Sequence, residues 1–269
     1  MSLTKIIANF VNSLIWGLTV FLPRWKRLTV RARLHSNFQP FEDVNVGEKK
    51  LKLFIPDRTC IFWAKEGPDC EPMTNAWINS FDDGETFVDI GANIGLYSLM
   101  AAAGGASRVF AIEANPFSFY VLTRNIITNE FQSIIMPICL AMNDGSSIAT
   151  LKLGSLEAGG IGNEIVEGDL NPSSKSILAM AVSLDELVRR QKIPPINHLK
   201  IDVDGLELKI LHGSVKLLAD KSFKSILVED GSEVKNGESE ITSFLAQYDF
   251  KENHTLESDG LFNKIFTRK

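Results

Sequence analysis

From residue 87 to about residue 230, short apolar runs alternate with longer stretches whose apolar positions recur at helical spacing. Phe87-Val88-Asp89-Ile90, Arg108-Val109-Phe110-Ala111-Ile112, Ile134–Ala141, Leu199-Lys200-Ile201 and Ser225-Ile226-Leu227-Val228 read as strands. Leu96–Ala103, 116–129 and 206–219 read as helices. Strand and helix in turn predict a parallel sheet with helices packed on its faces. Near the end, 249–253 and 262–267 flank Asp259-Gly260 and predict a hairpin. That adds a terminal antiparallel strand to a mostly parallel open sheet.

Upstream, Lys50–Pro56 and Cys60-Ile61-Phe62-Trp63 have the composition of strands, and Glu71-Pro72 opens a helix through Ile78. The predicted organisation is an N-terminal helix with a basic linker over 1–40, a β/α segment over 41–84 and an α/β domain over 85–269. Residues 154–176 are rich in Gly, Ser, Asn and Glu, and read as a loop on the substrate side of the domain.

Residues 6–22 are mostly apolar, slightly short of the roughly 20 a spanning helix needs. Asn9, Asn12, Ser13 and Thr19 fall on one side; Ile7, Phe10, Leu14, Leu18, Phe21 and Leu22 fall on the other. Arg24, Lys26, Arg27, Arg31 and Arg33 follow. Two readings stay open: peripheral contact with a membrane through residues 6–33, or packing against protein.

The chain has 269 residues, 45% hydrophobic and 23% charged, which describes a globular protein. A net charge of -5 argues against a nucleic-acid partner. Cys60, Cys70 and Cys139 form no CxxC pair, and Cys139 reads as a small core residue of its strand. The expected compartment is cytoplasmic, at the inner face of the membrane if the first helix binds one.

The most informative stretch is Phe87-Val88-Asp89-Ile90-Gly91-Ala92-Asn93-Ile94-Gly95. A strand that ends in a glycine turn and runs into a helix builds a nucleotide site at the carboxyl edge of an open sheet. The spacing is Gly-x-Asn-x-Gly, whereas a dinucleotide fold uses Gly-x-Gly-x-x-Gly to seat a pyrophosphate on a helix N-terminus. Asp89 beside the turn would repel a pyrophosphate. It suits a cofactor with an ammonium and a sulfonium, S-adenosylmethionine. Glu113 ends the second strand, where an acid accepts hydrogen bonds from ribose hydroxyls. Asn115-Pro116 opens the next helix, and Ala141 and Met142 fall where the adenine edge is expected. The expected cofactor set is Asp89, Gly91, Ala92, Asn93, Gly95, Glu113, Asn115, Ala141, Met142 and Asp202.

The second constellation is Lys200-Ile201-Asp202-Val203-Asp204-Gly205-Leu206-Glu207. Asp202, Asp204, Glu207 and Glu229, the last at the end of the next strand, are the candidate catalytic acids. A helix cap at Asp204 and a first-turn acid at Glu207 are the structural alternatives. The spacing is not that of an EF-hand, and no metal is expected. His198 precedes its strand and His212 lies two turns into a helix, so neither is placed to act as a base. His35 and His254 lie outside the central unit.

Glu71-Pro72, the run 87–98, the run 200–207 and Leu211-His212-Gly213 together resemble the FkbM family of SAM-dependent methyltransferases, over about residues 50–267. The resemblance implies a class I, Rossmann-like methyltransferase fold, S-adenosyl-L-methionine as cofactor, and in-line O-methylation of a hydroxyl. The implied acceptor is a sugar, glycan or secondary metabolite. It carries the cofactor role onto Asp89, Gly91, Asn93, Gly95, Glu113 and Asp202. An NAD-dependent oxidoreductase and a non-catalytic scaffold on the same fold are the competing readings.

Overall fold

The computed structural model describes residues 3–47, 49–168, 175–191, 193–231, 234–235, 238–258 and 261–268. The chain forms two compact units, Met1–Pro40 and Phe41–Lys269. The first holds α1 (Leu3–Thr19) and α2 (Arg24–Asn37), separated at Leu22-Pro23. Ile7, Phe10, Leu14 and Leu18 on the apolar side of α1 are exposed, as is Phe21 in the turn after it. No helix among the described residues is long and apolar enough to cross a membrane.

The second unit opens with an antiparallel hairpin, β1 (Phe41–Val46) and β2 (Lys49–Phe54), followed by α3 (Arg58–Lys65), α4 (Gly67–Cys70) and α5 (Pro72–Ile78). The expected strand at Cys60–Trp63 is the middle of α3. Three consecutive apolar residues do not distinguish strand from helix. Cys60 and Ala64 are buried while Ile61 and Phe62 are exposed, which is helical spacing.

The alternating region follows as β3 (Thr86–Ile90), α6 (Leu96–Gly104), β4 (Arg108–Ile112), α7 (Pro116–Thr128) and β5 (Ile135–Ile138). A small sheet comes next, built from β6 (Ala141–Met142), β7 (Ser147–Lys152), β8 (Glu164–Val166) and β9 (Ser176–Val182). The strand expected over 134–141 is therefore split. Cys139 lies in the gap between β5 and β6 and is exposed, not a core residue.

The chain continues through α8 (Leu184–Gln191), β10 (His198–Ile201), α9 (Glu207–His212), α10 (Val215–Ala219) and β11 (Ser225–Asp230). The helix expected over 206–219 breaks at Gly213-Ser214. A Cβ on Gly213 would lie 2.4 Å from the Asn143 carbonyl oxygen, so the chain there packs against the β6 end. Two short strands, β12 (Val234–Lys235) and β13 (Glu238–Ser239), precede α11 (Glu240–Ala246), β14 (Phe250–Ser258) and β15 (Leu261–Arg268). The predicted turn residues Asp259 and Gly260 lie outside the described residues.

The central sheet runs β14-β15-β11-β10-β3-β4-β5. Neighbours from β11 to β5 are parallel, and β15 is antiparallel to both β11 and β14. One antiparallel strand inserted in an otherwise parallel open sheet is the class I methyltransferase arrangement. Both faces are covered. Phe87, Val109, Ala111 and Leu227 enter the core layer beneath α6 and α7. Val88, Ile90, Phe110, Ile112, Leu199, Ile201, Ile226 and Val228 enter the opposite layer, with residues of α8 to α11. Strands buried on both sides read as continuous apolar runs, which is why the sequence shows little period-two alternation here.

At the amino edge of the sheet, His198 is buried between Glu85 and Ser225. Its Nε2 lies 2.6 Å from Glu85 Oε2 and its Nδ1 2.7 Å from Ser225 Oγ. The ring stacks on Phe81 at 3.7 Å. This is a satisfied polar network within the fold, at the far end of β10 from Asp202.

Candidate functional site

A cavity of about 320 Å³ opens at the carboxyl ends of β3, β4, β10 and β11. The glycine turn after β3 forms one wall. Gly91 has φ +81, and a Cβ there would lie 1.9 Å from the Asp202 carbonyl oxygen. The glycine is required because the tips of two adjacent parallel strands approach closely at this point. Gly95, at φ +90, would drive a Cβ to 2.4 Å from Leu122 Cδ1. Its role is to let α6 start against α7, and it does not line the cavity.

Asn93 takes φ +52, a conformation Asn tolerates better than most side chains. Its N–H donates to Glu113 Oε2 at 2.8 Å, and the Asn115 N–H donates to Glu113 Oε1 at 2.7 Å. One carboxylate thus ties the glycine turn to the end of β4. Burial pushes the Glu113 carboxyl up to about 7, against the pull of these two N–H donors. Asn115 caps α7 by accepting from the Phe117 N–H at 2.9 Å and stays outside the cavity lining.

Gly91, Ala92, Asn93, Glu113, Ala141, Met142, Asp202, Asp204 and Glu229 line the cavity together. Asp89 does not. Its carboxylate is 1% exposed behind the turn and accepts from Ser98 Oγ at 2.6 Å. Burial raises its pKa, opposed by Lys200 and Ser98. Glu207 is also turned inward, accepting the Val203 and Gly205 N–H groups at 3.3 and 3.0 Å. It closes the turn that leads into α9. Asp204, at φ +50, caps no helix; its Oδ2 accepts the Gly162 N–H at 3.0 Å and the Asn163 N–H at 3.1 Å. The 154–168 segment is thereby held at the cavity, where Gly160, Ile161 and Asn163 join the lining. Asp144 is exposed in its turn and is not part of the lining.

Polar lining residues outside the expected set include Glu71, Tyr97 and Lys200. Glu71 precedes α5 without capping it through a backbone N–H; its Oε2 accepts from Thr74 Oγ1 at 2.7 Å. A lysine inside an apolar strand was the available signal for Lys200.

The donor set suits a nucleoside carrying a cationic amino-acid tail. Ile90, Ile112, Leu140 and Met142 give an apolar wall for a base. Asn93 Oδ1 is buried with no hydrogen-bond partner among the described residues. Five carboxylates line the cavity, those of Glu71, Glu113, Asp202, Asp204 and Glu229. Burial, with Asp202 and Glu207 adding to it, pushes the Glu229 carboxyl up to about 7. Among the described residues, no group of His, Cys, Asp and Glu side chains is arranged to hold a metal ion.

The methyltransferase FkbM domain matches residues 89–252. The hexuronic acid methyltransferase AglP of Haloferax volcanii is 26% identical over 166 residues, covering 62% of this chain. The match spans 63% of that protein's length. Solved structures with distant likeness include TrmK of M. capricolum in complex with S-adenosyl-homocysteine (12% identity, TM-score 0.45, 73% of this chain and 67% of that one). Another is the precorrin-6y C5,15-methyltransferase of Geobacter metallireducens (14% identity, TM-score 0.46, 75% and 88%). The domain match extends over more than half of the sequence and takes in the glycine turn, Glu113 and the acids after β10: the chain belongs to the FkbM methyltransferase family.

Proposed function

We propose that this chain is an S-adenosyl-L-methionine-dependent methyltransferase that O-methylates a hydroxyl of a sugar or glycan. The observation that carries the reading is one continuous cavity joining the Gly91–Asn93 turn and Glu113 to Asp202 and Glu229. The likeness to the hexuronic acid methyltransferase of Haloferax volcanii supports a sugar as acceptor class.

S-adenosylmethionine supplies a methyl group on a sulfonium, activated for attack by an oxygen nucleophile. The chain's own residues supply the rest. Glu113 and the Asn93 side chain fix the ribose. Glu71 and Asp202 provide negative charge for the ammonium end. Glu229 is the proposed proton acceptor for the attacking hydroxyl: it lies near the end of β11 beside Asp202, lines the cavity, and has its carboxyl pushed up to about 7 by burial. Asp204 contributes by holding the 162–163 backbone. Alignment is the main catalytic term, since transfer needs the hydroxyl in line with the methyl.

The acceptor is tested by incubating the protein with S-adenosylmethionine and a panel of neutral and acidic glycans, read by mass spectrometry. The expected product carries one added methyl on a hydroxyl, and Glu229→Gln slows its formation at least tenfold. Transfer only to nitrogen or to a carboxylate would contradict the reading.

We further infer that residues 6–33 rest on an anionic membrane surface, which would place the enzyme at the inner face of a membrane. The support is charge and exposure together. Residues 1–40 carry Lys5, Arg24, Lys26, Arg27, Arg31 and Arg33 with no acid, in a chain of net charge -5. The same segment exposes the apolar side of α1 and Trp25. Flotation with phosphatidylglycerol-containing and pure phosphatidylcholine vesicles tests it. Binding should require the anionic lipid and weaken strongly at about 0.5 M salt. Self-association through α1 without lipid binding would assign the helix to a protein contact instead.

A further inference from the structure

Beside the five lining carboxylates the cavity has a single lining cation among the described residues, Lys200. It lies in β10, 1% exposed, and pairs in register with Asp89 of β3. Its Nζ bonds Asp202 Oδ2 and lies 5.0 Å from the centre of the Tyr97 ring. An ammonium with so little contact with water needs a reason, because lysine is among the residues least often buried unless paired.

We propose that Lys200 is a positioning residue, whose buried ammonium pins the Asp202 carboxylate at the cavity wall and balances the negative charge gathered there to receive a cationic ligand end. The proposal rests on the S-adenosylmethionine reading of the same cavity. The groups that face Lys200 are Asp202 on its own strand, Asp89 on β3, Glu71 at the start of α5, Tyr97 on α6 and Glu229 on β11. Burial alone would lower the lysine's proton affinity; Asp202, Glu71 and Asp89 outweigh burial and raise it. The influence is mutual: Lys200 lowers the proton affinity of Asp89 and Glu229, both of which burial raises. Without the ammonium, Asp89 and Glu229 would lose that opposing influence and take up protons more readily.

Lys200 therefore acts on the ligand through Asp202, and the consequence depends on pH. Lys200→Met leaves Asp89 and Glu229, both already raised by burial, with their proton affinities in the folded state raised further. The variant loses stability relative to the wild type as pH rises and regains it as pH falls. Binding shows the opposite trend, because protonated acids do not attract an ammonium.

Two measurements test this. The first is the melting temperature without ligand at pH 5 and pH 8.5. The Lys200→Met deficit should be clearly larger at pH 8.5, and Lys200→Met/Asp202→Asn should remove most of that difference. A deficit equal at both pH values is what a packing role alone gives, and would overturn the proposal. A single variant folded only at low pH would support it. Single and double variants unfolded at both pH values would overturn it.

The second measurement is S-adenosylhomocysteine affinity by calorimetry. Lys200→Met should bind within about fivefold of wild type at pH 8.5 and at least about thirtyfold more weakly than wild type at pH 6. A uniform loss would overturn the link to Asp202. A wild type that binds no S-adenosylhomocysteine at any pH would sink the cofactor reading, while the ligand-free melting comparison still decides whether Lys200 supports the acids.

Discussion

Gly91→Ala is expected to reduce S-adenosylhomocysteine affinity by at least about a hundredfold. The new Cβ would sit 1.9 Å from the Asp202 carbonyl oxygen and 3.2 Å from Val203 Cγ1. The first contact cannot be relieved by rotating a flexible side-chain end, since it is backbone. The tips of β3 and β10 must separate, moving the turn and Asp202 in opposite directions. A displacement of this kind disturbs every group that fixes the ligand at once, and losing two charge-assisted hydrogen bonds, at roughly 1.5–3 kcal/mol each, gives a loss of this size. Strain is a second cost, roughly 1–2 kcal/mol for alanine at positive φ. Gly84→Ala separates the two effects. Gly84 has φ +88 and lies in the turn before β3, where a Cβ would meet no atom within 4 Å. Its alanine variant should melt at a lower temperature and bind S-adenosylhomocysteine like the wild type. Equal binding losses in the two variants would show that strain, not the strand-tip contact, is responsible.

The second large effect is Glu113→Gln. Both oxygens of Glu113 already accept backbone N–H groups, from Asn93 and Asn115. A glutamine presents an NH₂ group to one of those two donors, so the glycine turn loses an anchor as well as the ribose its carboxylate. Affinity for S-adenosylhomocysteine should fall about thirtyfold at pH 8. The pH dependence carries the same claim. Burial pushes the Glu113 carboxyl up to about 7, so the wild type should bind more weakly as pH falls through 7, by roughly tenfold at pH 6. Glu113→Gln removes this part of the slope. Glu229, which titrates in the same range, is controlled by repeating the series in Glu229→Gln. A slope unchanged in Glu113→Gln would remove Glu113 from the ribose site.

Much of this architecture can be read from residue order, and the reasons differ from element to element. The β3 turn is legible because Gly-x-Asn-x-Gly leaves few backbone alternatives, and Glu113 because it ends the next strand of a repeating unit. The inserted antiparallel strand follows from an apolar hairpin after the last helix. Cys60–Trp63 misleads because a short apolar run has no period long enough to reveal its helix. Cys139 misleads because β5 ends at Ile138, before the apolar run that continues through Ala141 does. The burial of Asp89 and Glu207 is not visible in sequence, since it depends on Ser98 and on the backbone of the turn after β10. The docking of residues 158–163 is likewise a tertiary matter. Trp63 Nε1 donates to the Gly159 carbonyl at 2.8 Å and Ser118 Oγ accepts the Gly159 N–H at 3.0 Å. These partners come from helices far away in the chain, and no local pattern announces them.

The central claim is that a cavity lined by carboxylates takes an adenosyl ligand with a cationic tail and refuses a dinucleotide diphosphate. Parallel calorimetric titrations of the wild-type protein with S-adenosylhomocysteine and with NADH, at pH 8 and the same salt, test it most directly. Saturable one-to-one binding of S-adenosylhomocysteine with no heat from NADH is the expected result; binding of NADH, with none of S-adenosylhomocysteine, would contradict the account.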